Sequence, residues 1–210
     1  MAVTEHSMHE LKHYLPEGSF DKVIHFLHLY NVHLTVAKER KSVLGDYRHA
    51  HQGLNHRISV NGNLNKYEFL ITLLHELAHL LTFETHKNRV EAHGVEWKTC
   101  YGNLLKDFIE VNIFPKDVEN MLRKSMKSPA ATANGEVALL TVLRKYNKNL
   151  KEGYQLLSSL AEGVLFKTEN GKIFRKGSLR RKRYACVELK TGLHYTVSAI
   201  TEVRVLEVGF

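Results

Sequence analysis

The pattern His-Glu-X-X-His occurs twice in the chain, at residues 9–13 and at residues 75–79. Residues four apart lie one turn apart on the same face of a helix, so both imidazoles could reach a single Zn²⁺ ion. The glutamate beside the first histidine could accept a proton from water bound to zinc, which lowers the pKa of that water to about 7. The pattern therefore predicts zinc-dependent hydrolysis, and its context must decide between the two segments.

The first of these segments lies on a predicted helix with one apolar stripe. Met8, Leu11 and Leu15 fall at helical spacing on that stripe, which leaves His9, Glu10 and His13 toward solvent. A solvent-facing pair of histidines could not form a dry cleft. We interpret residues 9–13 as a polar helix face.

The second segment lies in a helix predicted over residues 67–83, which is apolar on nearly every side. Asn65 can cap this helix, with Glu68 three residues later. Three polar residues in a buried helix are costly unless they are satisfied or have a function. The alternative is a set of core histidines bonded to the backbone. We favour His75 and His79 as zinc ligands and Glu76 as the catalytic base.

A catalytic zinc ion usually has three protein ligands and one water molecule, so a third ligand is needed. His86 would lie about 10 Å beyond His79 along a straight helix, which is too far. His93 follows a polar loop and precedes Gly94 and a new helix, so it can fold back. The downstream candidates are Glu84, His86, Glu91, His93 and Glu96.

The remaining pattern predicts an α+β protein. Helices are predicted over residues 5–15, 19–30, 95–111, 115–125, 136–146 and 152–160, and strands over 32–37 and 57–60. Gly45-Asp46 is predicted to form a turn. Everything from Gly163 onward is predicted to be β, with breaks at Asn170-Gly171, Gly177-Ser178 and Thr191-Gly192.

Composition supports a protein with two functional regions. Of the 14 histidines among the 210 residues, only His194 lies beyond residue 93. Residues 164–210 carry ten Lys and Arg against four Glu, out of a net charge of +8 for the whole chain. With two cysteines, no apolar leader at the N-terminus and no apolar run of membrane length, we expect a soluble cytoplasmic protein with no membrane contact.

The basic region predicts a nucleic-acid partner. Phosphates bind clustered cations with release of counterions, and the interleaved Phe174 and Tyr184 could stack on bases. The alternatives are a solvated hairpin whose aromatic residues form its core, and an anionic protein partner. The candidate nucleic-acid-binding residues are Lys172, Arg175, Lys176, Arg180, Arg181, Lys182 and Arg183.

The segment from Thr72 to His79, followed by His93-Gly94-Val-Glu-Trp97, resembles the SprT-like zinc metallopeptidases. That family includes proteases of DNA–protein crosslinks, of the Spartan type. The resemblance implies a zincin-like fold with a small sheet before the active helix. It also implies one catalytic Zn²⁺ bound by His75, His79 and His93, with Glu76 as general base on zinc-bound water, and a protein substrate that is associated with or crosslinked to DNA.

One departure from the family concerns its C-terminal zinc ribbon, which has two cysteine pairs. Cys186 is the only cysteine in this region, and the chain has no CxxC. We therefore expect a metallopeptidase domain over residues 1–125 and a linker with short helices over 126–162. Residues 163–210 would form a basic β module, either a metal-free remnant of the ribbon or an unrelated small barrel.

Two other functions remain open from the sequence. One is a non-catalytic nucleic-acid-binding protein with a structural zinc site, and the other is a zinc hydrolase of small molecules. Glu76 argues against the first, because a structural site does not need that carboxylate. Tyr47, Arg48 and His86 are candidates for stabilising the oxyanion, but their spacing does not select one.

Overall fold

Helices and strands both contribute to the structure, a computed structural model that describes residues 7–40, 43–126, 137–147, 152–181 and 183–206. The chain divides into two units, residues 1–147 and 148–210. The first is mainly helical and the second contains an antiparallel sheet, which confirms the expected mixture of helix and sheet. Within the described ranges, no helix combines the length and apolar character needed to cross a membrane.

The first unit begins with a short 3-10 helix at Met8–His13. Among the described residues of this unit, three strands and five α-helices follow: α1 Phe20–Leu29, β1 His33–Ala37, β2 Gly45–Arg48, β3 Arg57–Asn61, α2 Lys66–His86, α3 Val95–Ile109, α4 Lys116–Ser125 and α5 Val137–Leu143.

Helix α2 is the central element of the first unit. The Asn65 side chain accepts a hydrogen bond from the Glu68 backbone N–H at 3.0 Å, which confirms the predicted cap. More than half of the residues of α2 are buried, Phe69 among them, and the fully buried Trp97 and Phe108 of α3 belong to the same core. Burial on nearly all sides fixes the rotation of α2 and therefore the direction in which its polar residues point.

The small sheet has the order β1-β3-β2, with β1 parallel and β2 antiparallel to β3. The prediction of a turn at Gly45-Asp46 is wrong, because both residues belong to strand β2 and pair with Val60 and Ser59. A four-residue strand shows too little alternation to be recognised. Its partner β3 lies further along the chain. The Arg40 side chain, between β1 and β2 in sequence, donates to Asn61 Oδ1 at the end of β3 across 2.8 Å.

Helix α5 belongs to the first unit, within the segment predicted as linker and short helices. Leu139 and Leu143 are buried in the core of that unit. The Asn65 amide donates to the carbonyl of Leu143 at 3.1 Å and to Oδ1 of Asn147 at 2.7 Å, which joins the C-terminal end of α5 to the start of α2. Residues 127–136, which hold the small polar run, lie outside the described residues.

The second unit contains a six-stranded antiparallel sheet with the order β4-β9-β5-β6-β7-β8. The strands are β4 Tyr154–Leu156, β5 Leu165–Lys167, β6 Ile173–Arg180, β7 Arg183–Glu188, β8 His194–Ser198 and β9 Glu202–Val205. The expected hairpin turns at Asn170-Gly171 and Thr191-Gly192 are confirmed, since they connect β5 to β6 and β7 to β8.

Two local predictions in this unit are wrong. Residues 152–160 were expected to be helical, yet they form β4 and a 3-10 turn at Leu157–Ser159, because β4 pairs with the distant β9. Gly177-Ser178 does not end a strand, since β6 continues through it with an irregular register between Lys176 and Leu179. A Cβ on Gly177 would stand 2.6 Å from the Ala185 carbonyl oxygen, so glycine here permits close approach of β7.

Candidate metal centre

Helix α2 holds His75 and His79 one turn apart, with Glu76 between them in sequence. His75 is 6% exposed and Glu76 is 7% exposed, so both lie almost entirely inside the protein. The Thr82 hydroxyl donates to the Ala78 carbonyl at 2.7 Å, which satisfies the neighbouring polar side chain inside the helix. A buried histidine needs a partner for its polar atoms, and the contact of His75 is with the imidazole of His93.

His93 comes from the loop that precedes α3 and lies beside the two helix histidines. The Gly94 N–H donates to the carbonyl of Glu91 at 3.0 Å, which tightens that loop, and Gly94 then caps α3. One ligand nitrogen from each of His75, His79 and His93 lies within 4.8 Å of the others. The Nε2 atoms of His75 and His93 are 3.4 Å apart.

These distances suit a zinc ion. Zn–N bonds of about 2.1 Å at tetrahedral angles place two ligand nitrogens about 3.4 Å apart. His79 and His93 are only partly buried, so the group opens to solvent on one side. Three protein ligands with an open fourth position are typical of catalytic zinc rather than structural zinc.

The electrostatics keep the three imidazoles neutral, which is the form that binds metal. Burial, together with the nearby His79 and His93, lowers the pKa of His75 to about 3. Burial and then His93 lower the pKa of His79 to about 4, and burial also lowers the pKa of His93. None of these side chains competes for a proton near neutral pH.

Aromatic rings surround the three histidines. Trp97 of α3 is fully buried, and its ring centroid is 4.7 Å from those of His75 and His93 and 5.3 Å from that of His79. The Tyr101 ring stacks on Trp97 at 5.0 Å. Among the described residues, the Trp97 indole N–H is the one buried side-chain group without a hydrogen-bond partner. The rings exclude water from the inner side of the histidine group.

Glu76 is enclosed by the strand β2. A Cβ built on Gly45 would stand 2.6 Å from Glu76 Oε1, so the carboxylate occupies the space that any side chain at Gly45 would need. Burial, then the charge of Asp46, raise the pKa of Glu76 to about 8, and the charge of Arg40 opposes that rise. A cation held by the three histidines would favour the ionised carboxylate that a base requires.

Other sequence candidates lie apart from this group. The segment with His9 and His13 forms an exposed 3-10 helix, where Glu10 approaches His13 at 3.6 Å. Glu84 pairs with His56 at 3.4 Å. Within the described residues, the group of His75, His79 and His93 is the one set of at least three potential ligands that could hold a metal ion.

The comparisons with known proteins agree with this architecture. A family model described as the SprT-like family matches residues 6–115, just over half of the chain. The chain belongs to the SprT-like family. SprT-like domains are generally of the metallopeptidase type and are typically associated with zinc. No curated protein and no solved structure gives a significant match to the chain.

The SprT-like match ends before the basic region, where the sheet register separates the predicted cations. Lys176 is buried, with its ammonium group donating to the Leu160 carbonyl and lying 3.9 Å from the Tyr184 ring centroid. Lys172 pairs with Glu188 at 3.2 Å. Lys182 lies outside the described residues. The exposed members are the paired Lys172 and the arginines Arg175, Arg180, Arg181 and Arg183.

Strand pairing identifies two further cations that the sequence cluster missed. Residues directly opposite each other in a sheet point to the same face. Lys167 lies opposite both Ile173 and Arg204, and Arg175 is two residues after Ile173. Lys167, Arg175 and Arg204 therefore share one face of the sheet, opposite to the face of the buried Phe166 and Phe174. These three cations are far apart in the sequence or outside its basic cluster, so only the strand register shows that they share a face.

Proposed function

We propose that this SprT-like protein is a zinc-dependent endopeptidase with a zincin-like catalytic domain. The observation that carries the proposal is the convergence of three neutral histidines on one point beside a buried glutamate of the same helix. His75, His79 and His93 would hold the zinc ion. Zinc, when bound there, polarises a peptide carbonyl and makes water acidic enough to lose a proton near neutral pH.

In this proposal Glu76 is the general base and acid. Its carboxylate takes a proton from the attacking water, and it then returns the proton to the nitrogen of the departing amine. Gly45 and the buried surface of α2 hold the carboxylate in one place. The aromatic side chains Trp97 and Tyr101 keep water from the inner side of the centre, so the substrate would approach from the open side of His79 and His93.

The test compares two glutamates that occupy the same sequence pattern. Purified zinc-loaded protein is incubated with a protein substrate, beside Glu76→Gln and Glu10→Gln. We expect Glu76→Gln to retain zinc and lose cleavage by a factor of about 100 or more, while Glu10→Gln cleaves normally. Equal cleavage by wild type and Glu76→Gln would refute the assignment. Bound zinc with no cleavage under any condition would favour the non-catalytic binding protein.

The second unit supports a nucleic-acid partner, which would make the natural substrate a protein associated with or crosslinked to DNA. Lys167, Arg175, Arg183 and Arg204 come from four different strands of one sheet face. Cations that are spread over a face can contact several phosphates at once, and each contact releases counterions. The acidic Glu202 also lies on β9, so the positive charge is greatest toward β6 and β7.

This interface is tested by two substitutions that remove the same charge. Arg175→Ala lies on the exposed face, whereas Lys172→Ala removes a cation that is paired with Glu188. We expect Arg175→Ala to weaken binding of single-stranded DNA and to reduce the slope of log affinity against log salt concentration by about one. Lys172→Ala should bind single-stranded DNA about as well as wild type. Equal losses of DNA binding in the two variants would refute the assignment of the interface to the sheet face that carries Arg175. Cleavage with and without DNA then shows whether nucleic acid contributes to proteolysis.

A further inference from the structure

Tyr47 of strand β2 lies beside the metal-centre residue His79. The two rings are almost parallel, at an angle of 3°, with centroids 6.4 Å apart. Among the described residues, no protein group hydrogen-bonds to the His79 imidazole, although histidines that bind metals are normally oriented by such a bond. The orientation of the His79 ring therefore depends on its ring neighbours, which besides the other two histidines of the centre are Tyr47 and Trp97.

The hydroxyl of Tyr47 is fixed by His56. It lies 3.0 Å from Nδ1 of His56, and the Ala50 backbone N–H points at the same nitrogen from 3.3 Å. A backbone N–H can only donate, so Nδ1 is the unprotonated nitrogen and the Tyr47 hydroxyl also donates to it. The proton of the neutral imidazole is then on Nε2.

The other side of His56 is bound to the helix that carries the metal centre. Nε2 of His56 lies 3.4 Å from Oε1 of Glu84 in an ion-pair contact, and His56 is 7% exposed. Glu84 is on α2, five residues after His79. A continuous set of contacts thus leaves α2 at His79, passes through Tyr47 and His56, and returns to α2 at Glu84.

We propose that Tyr47 is a positioning residue of the metal centre, which fixes the His79 ring while His56 and Glu84 fix Tyr47. The inference rests on the proposed function, because that function makes His79 a zinc ligand. It also removes Tyr47 from the candidates for stabilising the oxyanion, because the hydroxyl proton is already donated to His56. The role is to restrict the rotation of an imidazole that must meet zinc at one angle.

The experiment measures metal binding rather than activity alone. Zinc affinity is determined by competition with a chelator, and the visible spectrum of the Co²⁺-substituted protein reports ligand geometry. We expect Tyr47→Leu to bind zinc about ten-fold more weakly and to change the Co²⁺ spectrum. Tyr47→Phe keeps the ring and should restore most of the affinity. Tyr14→Leu removes a tyrosine that packs on Phe69 away from the centre, and it should match wild type.

An unchanged zinc affinity and Co²⁺ spectrum in Tyr47→Leu would overturn the positioning role. If Tyr47→Leu does not fold, the positioning role is tested instead at Glu84, the other end of the set of contacts. The Glu84 side chain is 35% exposed, and it pairs with Lys87 as well as His56. Glu84→Ala should weaken zinc binding and shift the spectrum, whereas Lys87→Ala should change neither.

Equal zinc affinities and Co²⁺ spectra for Glu84→Ala and Lys87→Ala would show that the contacts through Glu84 and His56 do not position His79. Failure of the proposed zinc site gives a different result, because the wild-type protein itself would then bind neither zinc nor Co²⁺. That outcome would overturn both proposals, whereas metal binding that is indifferent to Tyr47 would overturn only the positioning role.

Discussion

Gly45 lies directly against the carboxylate of Glu76. A Cβ on Gly45 would stand 2.6 Å from Glu76 Oε1 and 2.8 Å from Cγ2 of Thr72. Both distances are shorter than carbon and oxygen atoms tolerate without moving. The edge strand β2 therefore touches the proposed base through its backbone, and the absence of a side chain at this position leaves the carboxylate its space.

We expect Gly45→Ala to lower kcat/KM for protein cleavage by one to two orders of magnitude, because a displacement of about 1 Å at a reacting group can cost about 100-fold. Zinc binding should stay unchanged, since the three atoms nearest to that Cβ belong to Glu76 and Thr72 and not to a histidine. Gly102→Ala is the control, because a Cβ there meets nothing within 4 Å. Full activity in Gly45→Ala would show that the Glu76 carboxylate is not confined by β2.

The contact between Gly45 and Glu76 also shows what the sequence could not provide. Helix α2, its Asn65 cap and the Asn170-Gly171 hairpin were predictable, because each depends on residues close together in the chain. Strands β2 and β4 were not, since β2 is short and β4 pairs with β9 about 50 residues later. The His75, His79 and His93 group was selected by spacing and resemblance, whereas Tyr47 and Gly45 depend on strand placement.

Loading with metal should stabilise the first unit. A ligand that binds only the folded state adds about 4 kcal/mol at a free concentration of 1,000 times its Kd. We expect zinc to raise the unfolding temperature of wild type, and a chelator to reverse the rise. His93→Ala should lose this zinc-dependent shift, while His86→Ala should keep it, because His86 is outside the histidine group. A shift of normal size in His93→Ala would exclude His93 as a ligand.

Glu68 should make the stability of the protein depend on pH. Burial near the start of α2 raises its pKa from an ordinary 4.5 to about 7. The folded state therefore holds this proton more tightly than the unfolded state, so stability falls as the pH rises from about 4.5 to about 7. Above that range the cost of ionising this half-buried carboxyl group applies in full.

We expect Glu68→Gln to be more stable than wild type at pH 8, by on the order of 2 kcal/mol, and to match it at pH 4. Denaturant unfolding at several pH values measures the difference in the free energy of unfolding between the two proteins. The contributions of other titrating groups are the same in both proteins and cancel in this difference. The exposed Glu17→Gln serves as the matched control. A stability difference between wild type and Glu68→Gln that did not change with pH would contradict the raised pKa of Glu68 in the folded state.

Lys176 should contribute to the stability of the second unit rather than to a partner surface. Its side chain is 4% exposed, and its ammonium group is satisfied by the Leu160 carbonyl and the face of Tyr184. Lys176→Ala would leave a cavity and a carbonyl without its donor, so we expect a loss of about 2–3 kcal/mol in the free energy of unfolding. Arg175→Ala, exposed on the other face, should change this free energy by less than about 0.5 kcal/mol. Thermal or denaturant unfolding compares the two variants, and equal stabilities would mean that Lys176 is a surface cation like its neighbours in sequence.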